Sequence, residues 1–484
     1  MKQDYDAIVV GSGPNGMAAA VRLALEGYSV KVFEAGESIG GGTRTLELTE
    51  PGFMHDICSA IHPMAISSPF LRSLPLESHG LEWIQPEIPL AHPMDDGPAV
   101  LQHRDLGNMK DELGDDFKAY EKLFHPLGES WHKLASELLG PLRLPNRPLR
   151  MALFGINALQ SAEGLINRKF STGRAKALFA GLAAHSLMPL DKTMSSAIGL
   201  VLGAAAHSVG WPLAKGGSGK ITGSMAAYLE TLGGEIETGR RVTDLKMLPA
   251  AKAILFDLTP KQVLKIAGDR FPESYRKKLQ KYRYGAGVFK VDYILKEPVP
   301  WKDPRCNKAG TVHVGGTLAD IAASERSMSR NRHSSRPYVL VAQQSLFDDT
   351  RTPDHRHTLW AYCHVPNGSG RDMTREIENQ IERFAPGFRD IIERRSGMTA
   401  NDFETYNPNY IGGDINGGIQ DIRQLFSRPV SLIHPYATPA EGIYFCSSST
   451  PPGGGVHGMC GFHAAELVLK REFELKQSER QFRL

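Results

Sequence analysis

The 484-residue chain is 41% hydrophobic and 23% charged, which excludes disorder over its bulk and supplies apolar surface for two or three cores. Its 56 Lys and Arg against 53 Asp and Glu leave a net charge of +3, too even to demand a nucleic-acid or anionic-membrane partner. The five cysteines (Cys58, Cys306, Cys363, Cys446 and Cys460) never fall in a CxxC pair, against a disulfide scaffold or redox dithiol, and neither zinc spacing nor HExxH or GxSxG occurs.

The chain goes from Met1–Asp4 straight into Tyr5-Asp6-Ala7-Ile8-Val9-Val10, which reads as a strand and not as the apolar stretch of a secretory signal. No apolar run reaches the roughly 18 residues that a membrane-spanning helix needs. The nearest, Ser195–Val209, is broken by His207 and Ser208. A soluble, cytoplasmic protein is the expectation.

The first strand leads into Gly11-Ser12-Gly13-Pro14-Asn15-Gly16, a helix-favouring run from Met17 to Glu26, and a second strand, Ser29–Phe33, ending at Glu34. This is a βαβ unit with GxGxxG at its first turn. Gly11 permits the tight turn, Gly13 lets backbone approach a pyrophosphate, and Gly16 lets helix and strand pack closely. Unpaired N–H groups and the positive dipole end of the helix face the phosphates. Glu34, 18 positions after Gly16, stands where an acid accepts hydrogen bonds from ribose hydroxyls. Behind Ala35 comes a second glycine cluster, Gly40-Gly41-Gly42-Thr43-Arg44. A nicotinamide site has no need of it, whereas the long ribityl chain of FAD must be threaded past backbone.

In the middle of the chain, residues 70–214 are helix-rich, with Phe117–Phe124 amphipathic at helical spacing. Two readings are open for Pro145–Phe170: a membrane-surface helix beside an apolar substrate entrance, or a core helix of the substrate domain, which the pattern favours. Lys215–Lys220 reads as a ligand-free connection, and Ser324–Arg336 as an exposed loop. Residues 286–404 carry apolar strands at Val288–Leu295, Tyr338–Ala342 and Thr358–Tyr362, expected to roof the flavin. No second GxGxxG appears, so a nicotinamide-dependent disulfide reductase is not supported.

Near the C-terminus, the strand-like Ile443–Cys446 runs into Ser447-Ser448-Ser449-Thr450-Pro451-Pro452-Gly453-Gly454-Gly455, and Val456-His457-Gly458-Met459 opens a helix. This second glycine loop at a helix N-terminus, with Ser448, Gly454, Gly455, Val456 and His457, is expected at the flavin edge, where it would stabilise the charge of the reduced ring. His457 is the candidate polar group beside the ring; His62 and His463 are weaker candidates.

These landmarks resemble the FAD-dependent superfamily of amine oxidases and phytoene desaturases, in which an acid followed by GG-x-x-R-T marks FAD. Pro51–Pro63, Gly216–Ser218 with Gly239–Val242, Leu359–Pro366 and Gly412–Gly418 resemble the phytoene desaturase-related proteins, nearest the branch of pyridine nucleotide-disulphide oxidoreductase domain-containing protein 2. The resemblance implies an α/β fold, with a Rossmann-type FAD-binding domain in three parts (1–69, 215–285 and 405–484) and an inserted α+β substrate domain (70–214 and 286–404). It also implies a strand near Val242 passing the adenine. Two features depart from the pattern: Ser447–Ser449 replaces the usual acid after the last strand, and Thr450–Gly454 replaces the His-Pro-Gly-Ala-Gly of carotenoid desaturases.

The leading expectation is an FAD-dependent dehydrogenase or desaturase taking a hydride from an apolar small molecule onto flavin N5, with oxygen, a quinone or another carrier as electron acceptor. Three rivals stay open: a flavin amine oxidase, a partner-binding protein with a structural FAD, and a redox-neutral isomerase. Peripheral membrane contact accompanies the first reading of Pro145–Phe170.

Overall fold

The computed structural model describes residues 4–425, 427–430 and 433–473. Two sheets organise the chain. The first has five strands, ordered Ile443–Phe445, Ala251–Phe256, Tyr5–Val10, Val30–Phe33 and Glu235–Glu237, and every pairing is parallel. Its inner strands are continuous apolar runs because helices cover both faces. Strands from near the start, the middle and the end of the chain lie side by side in it, with Val9 opposite Leu255 and Leu255 opposite Tyr444.

The second sheet has seven strands, ordered Ile392–Met398, Gly287–Leu295, His357–Val365, Val339–Ala342, Ala309–Val314, Ile88–His92 and Val100–Gln102. Only Ala309–Val314 with Ile88–His92 is parallel. All nine residues of Gly287–Leu295 are buried. Helices gather over this sheet, with Gly173–Ala184 packed on Ser195–Ser208. None is long and apolar enough to cross a membrane among the described residues.

The first helix, Pro14–Leu25, packs along the last, Met459–Glu472. Small residues on both sides allow their backbones to meet: a Cβ on Gly461 would drive into the Asn15 carbonyl, and one on Gly458 would lie 2.9 Å from Ala18 Cβ. Arg22 fastens the pair through Glu466, Nε to Oε1 at 2.6 Å.

A buried ion cluster joins the two halves. Arg351, fully buried, binds Asp56 through Nη1 at 3.0 Å and Asp348 through Nε at 2.8 Å. Asp56 also accepts from Thr45 Oγ1 at 2.7 Å and from Ser218 N at 2.8 Å. Burial pushes the Asp56 carboxyl upward, but the Arg351 charge and these hydrogen bonds prevail and hold it below the ordinary carboxylate range.

Three sequence expectations need correction. Ser324–Arg336 is not all loop: its first half belongs to the helix Leu318–Ser329, started by a Thr317/Asp320 capping box. Ser324, Glu325 and Met328 are buried there, and Glu325 Oε2 lies 2.8 Å from His364 Nδ1. Val242 is on no strand; the fifth strand ends at Glu237 and Val242 follows in irregular backbone. Pro145–Phe170 is not a core helix but two short helices, Pro148–Ala158 and Ala162–Lys169, the first with Leu149, Leu153 and Ile156 in solvent.

Two substitutions test this packing. Gly461→Ala should destabilise the protein by about 1–3 kcal/mol through overpacking, read as a lowered urea midpoint at unchanged slope. Arg351→Leu, which leaves two buried carboxylates without their cation, should cost about 3–5 kcal/mol in the same assay.

Candidate functional site

The C-terminal ends of the parallel strands open onto one cavity of about 840 Å³, lined by residues of both halves. At one end is the Gly11–Asn15 turn. Gly11 has φ +102°, a conformation that glycine adopts without cost. A Cβ on Gly13 would lie 2.5 Å from Asp257 Oδ2, and one on Gly16 would meet the Gly11 carbonyl. Gly16 is thus required by the neighbouring backbone, and Gly13 by the Asp257 side chain from a distant strand end.

Glu34 and Arg44 face the same end. Arg44 donates from Nη2 to Glu34 Oε1 at 2.8 Å, from Nε to the Ser38 carbonyl at 2.8 Å, and from Nη1 to Tyr406 Oη at 3.2 Å. Glu34 also accepts from Gly36 N at 2.7 Å, and from Ser12 N and Oγ at 3.1 and 2.5 Å. Four donors thus occupy the carboxylate, the full complement of its lone-pair positions. Ala35, Gly41, Gly42 and Thr43 complete this wall, with Val242 beside Arg240 and Arg241.

The C-terminal loop closes the cavity from the other side through Ser448, Gly454, Gly455, Val456 and His457. The last helix starts at Met459, later than the sequence suggests, because Gly455, Val456 and Gly458 hold φ of +133°, +55° and +69°. For a β-branched residue such as Val456 that is a strained conformation. Two of the other positive-φ non-glycine residues, Leu187 and Met194, also line this cavity.

His457 Nδ1 accepts from Met459 N at 3.0 Å, so the neutral ring carries its proton on Nε2, which has no hydrogen-bond partner. Burial outweighs the nearby Gly453 and Gly454 carbonyls and pushes its pKa down to about 4. The two weaker candidates do not line the cavity. His62 Nε2 is 2.7 Å from Ser218 Oγ, and His463 Nε2 is 3.0 Å from the Leu139 carbonyl; both histidines serve packing.

Beyond the glycine walls the cavity widens into an apolar chamber between the helices and the seven-stranded sheet, with Leu187, Met188, Ile198, Leu340, Trp360 and Tyr362 on its walls. Trp360 and Tyr362 project from one strand and meet edge to face, centroids 4.8 Å apart at 71°.

Known proteins can be compared with this geometry. The family model described as an NAD(P)-binding Rossmann-like domain matches residues 9–73. Pyridine nucleotide-disulfide oxidoreductase domain-containing protein 2 of Mus musculus is 24% identical over 97% of this chain and 94% of its own length. The neurosporene-forming phytoene desaturase of Rhodobacter capsulatus is 24% identical, over 96% and 93% respectively. The chain is an oxidoreductase. Its fold agrees with solved structures of an oxidoreductase from Methanosarcina mazei (TM-score 0.64, 15% identity, covering 96% of this chain and 100% of that one) and of putrescine oxidase (TM-score 0.62, 18% identity, covering 96% and 99%).

Two residues at the site escape a reading of motifs. Arg428 donates to the Ser448 carbonyl from Nε at 3.1 Å and Nη2 at 2.6 Å, and from Nη2 to the Asn416 carbonyl at 3.0 Å, so one guanidinium shapes the C-terminal loop. No local signal marks it. Asp257 has a signal: it follows the apolar strand Ala251–Phe256 as Glu34 follows Val30–Phe33. Its Oδ2 accepts from Gly16 N at 3.0 Å, so the first helix does not present that N–H bare, as the sequence suggests.

Burial pushes the Asp257 carboxyl up to about 8, the Glu34 charge adding to the shift and the Gly16 and Gly13 N–H groups opposing it. A carboxyl raised in the folded state contributes stability that is whole below its ordinary value and is lost as pH rises through the folded one. Relative to Asp257→Asn, the wild type should therefore lose stability as pH rises from about 4 to 8, by up to about 1 kcal/mol per pH unit. The gap between the two thermal melting profiles should change over that window, and parallel profiles for the two proteins would contradict the assignment.

Proposed function

We propose that the protein is an FAD-dependent oxidoreductase that takes a hydride from a largely apolar small molecule. The observation carrying this reading is a single cavity with a glycine-lined cradle at one end and an apolar chamber at the other. The fit of FAD rests on features of the walls: glycines where any Cβ would collide, a carboxylate ending the second strand, and an unpartnered buried N–H at His457.

In this reading the Gly11–Gly16 turn receives the pyrophosphate, and Glu34 accepts a ribose hydroxyl in exchange for the Ser12 hydroxyl that occupies it here. Gly41–Arg44 flanks the chain beyond, Val242 offers backbone to the adenine, and Ser448 with Gly454–His457 faces the ring. Asp257, neutral at pH 7, offers a phosphate oxygen a proton to share instead of a repelling charge. Bound there, FAD supplies a hydride acceptor whose electrons pass on to oxygen, a quinone or another carrier. The chain's own work is to orient the substrate and exclude water. His457, neutral across physiological pH, acts as a hydrogen-bond donor and not as a base. Cys58 also lines the cavity, but burial pushes its thiol up to about 11, and all five cysteines are unpaired, which does not favour disulfide chemistry.

An amine substrate is the less favoured alternative. Edge-to-face packing leaves no slot between Trp360 and Tyr362.

The purified protein should be yellow, and an apolar donor should bleach it without oxygen. Gly13→Val should emerge with flavin content lowered at least about 10-fold, because its side chain fills the cradle. A wild type that is colourless and cannot be reconstituted would overturn the proposal. Normal flavin content with no bleaching by any donor would favour a binding role.

A further inference from the structure

Seven large apolar side chains are exposed among the described residues, and six of them fall between Leu142 and Leu159. Leu144 is 93% exposed and Leu149 81%. The helix Pro148–Ala158 explains the pattern. Its inward stripe, Met151, Phe154 and Ala158, lines the cavity. Leu149, Leu153 and Ile156 recur at the i, i+4, i+7 spacing on another face and lie in solvent. A surface helix of a water-facing protein turns polar side chains outward; this one is apolar on both faces.

The charges around the patch are one-sided. Residues 138–162 contain no Asp or Glu. Arg143, Arg147 and Arg150 are exposed, and none is in an ion pair with a described residue. The flanking acids are engaged: Glu137 accepts from Asn146 N at 3.0 Å and Glu163 pairs with Arg326 at 2.6 Å. The patch also borders an opening, because Leu142, Arg143 and Leu159 both line the cavity and reach solvent.

We propose that residues 142–159 dock on the surface of an anionic lipid bilayer, the exposed leucines entering the acyl boundary and the arginines meeting the headgroups, so that the cavity opens toward lipid. Apolar side chains ringed by unpaired cations are the two attractions that hold an interfacial helix. A second copy is the poorer occupant, since a two-fold pairing would set the same three arginines against each other. The docking goes beyond the redox reading and does not depend on it; that it would deliver an apolar substrate does.

The test is co-flotation of the purified full-length protein with vesicles of phosphatidylcholine alone or mixed with phosphatidylglycerol. Binding is expected to the mixed vesicles, weakening as salt rises. The triple variant Leu149→Ser, Leu153→Ser, Ile156→Ser should bind at least about 10-fold less, with unchanged melting because these side chains already lie in water. Arg147→Glu with Arg150→Glu should remove the preference for mixed vesicles. No flotation with either vesicle, wild-type binding by the triple variant, or a soluble dimer that the triple variant dissociates would each overturn the proposal. Flavin bleaching is measured without vesicles, so its outcome is separate.

Discussion

The contact on which the cavity depends is the one between the first and last helices. At Gly461 against Asn15 there is no room for even one methyl group, and that closeness places the 11–16 turn opposite the 447–457 loop. Dispersion favours such an approach only if side chains are missing where the backbones meet. Once the helices are in place, the parallel strands that precede them, Tyr5–Val10 and Ile443–Phe445, flank Ala251–Phe256. Asp257 then emerges between the two glycine loops. A cavity walled by both ends of the chain is thus a consequence of tight helix packing.

Around that cavity the backbone is held in conformations it would not choose alone. Leu187, Met194 and Val456 have positive φ and come from two distant stretches of chain, yet all three face the same space. Strain of this kind survives only where the surroundings over-determine it. Arg428, which fixes the carbonyls of Asn416 and Ser448, is one such surrounding constraint. A wall built this way keeps its shape before any ligand arrives, and that preorganisation suits a site whose task is positioning.

How far the sequence could be read follows from where each constraint originates. The 11–16 turn, Glu34 and Arg44 were legible because their spacing belongs to one βαβ unit and the glycine cluster directly behind it, even though the atom that a Cβ on Gly13 would meet, Asp257 Oδ2, comes from far along the chain. Asp257 was not, since its role exists only once a strand some 240 residues later in the chain pairs beside the first (its placement directly after an apolar strand was the available clue). The Leu318–Ser329 helix was hidden by its charged, serine-rich second half, although the Thr317/Asp320 capping box was present in the letters. For Pro148–Ala158 the periodicity showed a helix rich in apolar residues; it carries no information on what covers each face, so a core helix and an exposed one look alike.

The Asp56–Arg351–Asp348 cluster bears on how such a chain can change over generations. Losing Arg351 strands two carboxylates out of reach of water, whereas losing one acid leaves the guanidinium paired with the other, and replacing the whole trio with well-packed hydrocarbon is often tolerated. The order in which the trio could be dismantled is thereby constrained: an acid can go first, but the cation cannot leave before both acids without a heavy folding cost.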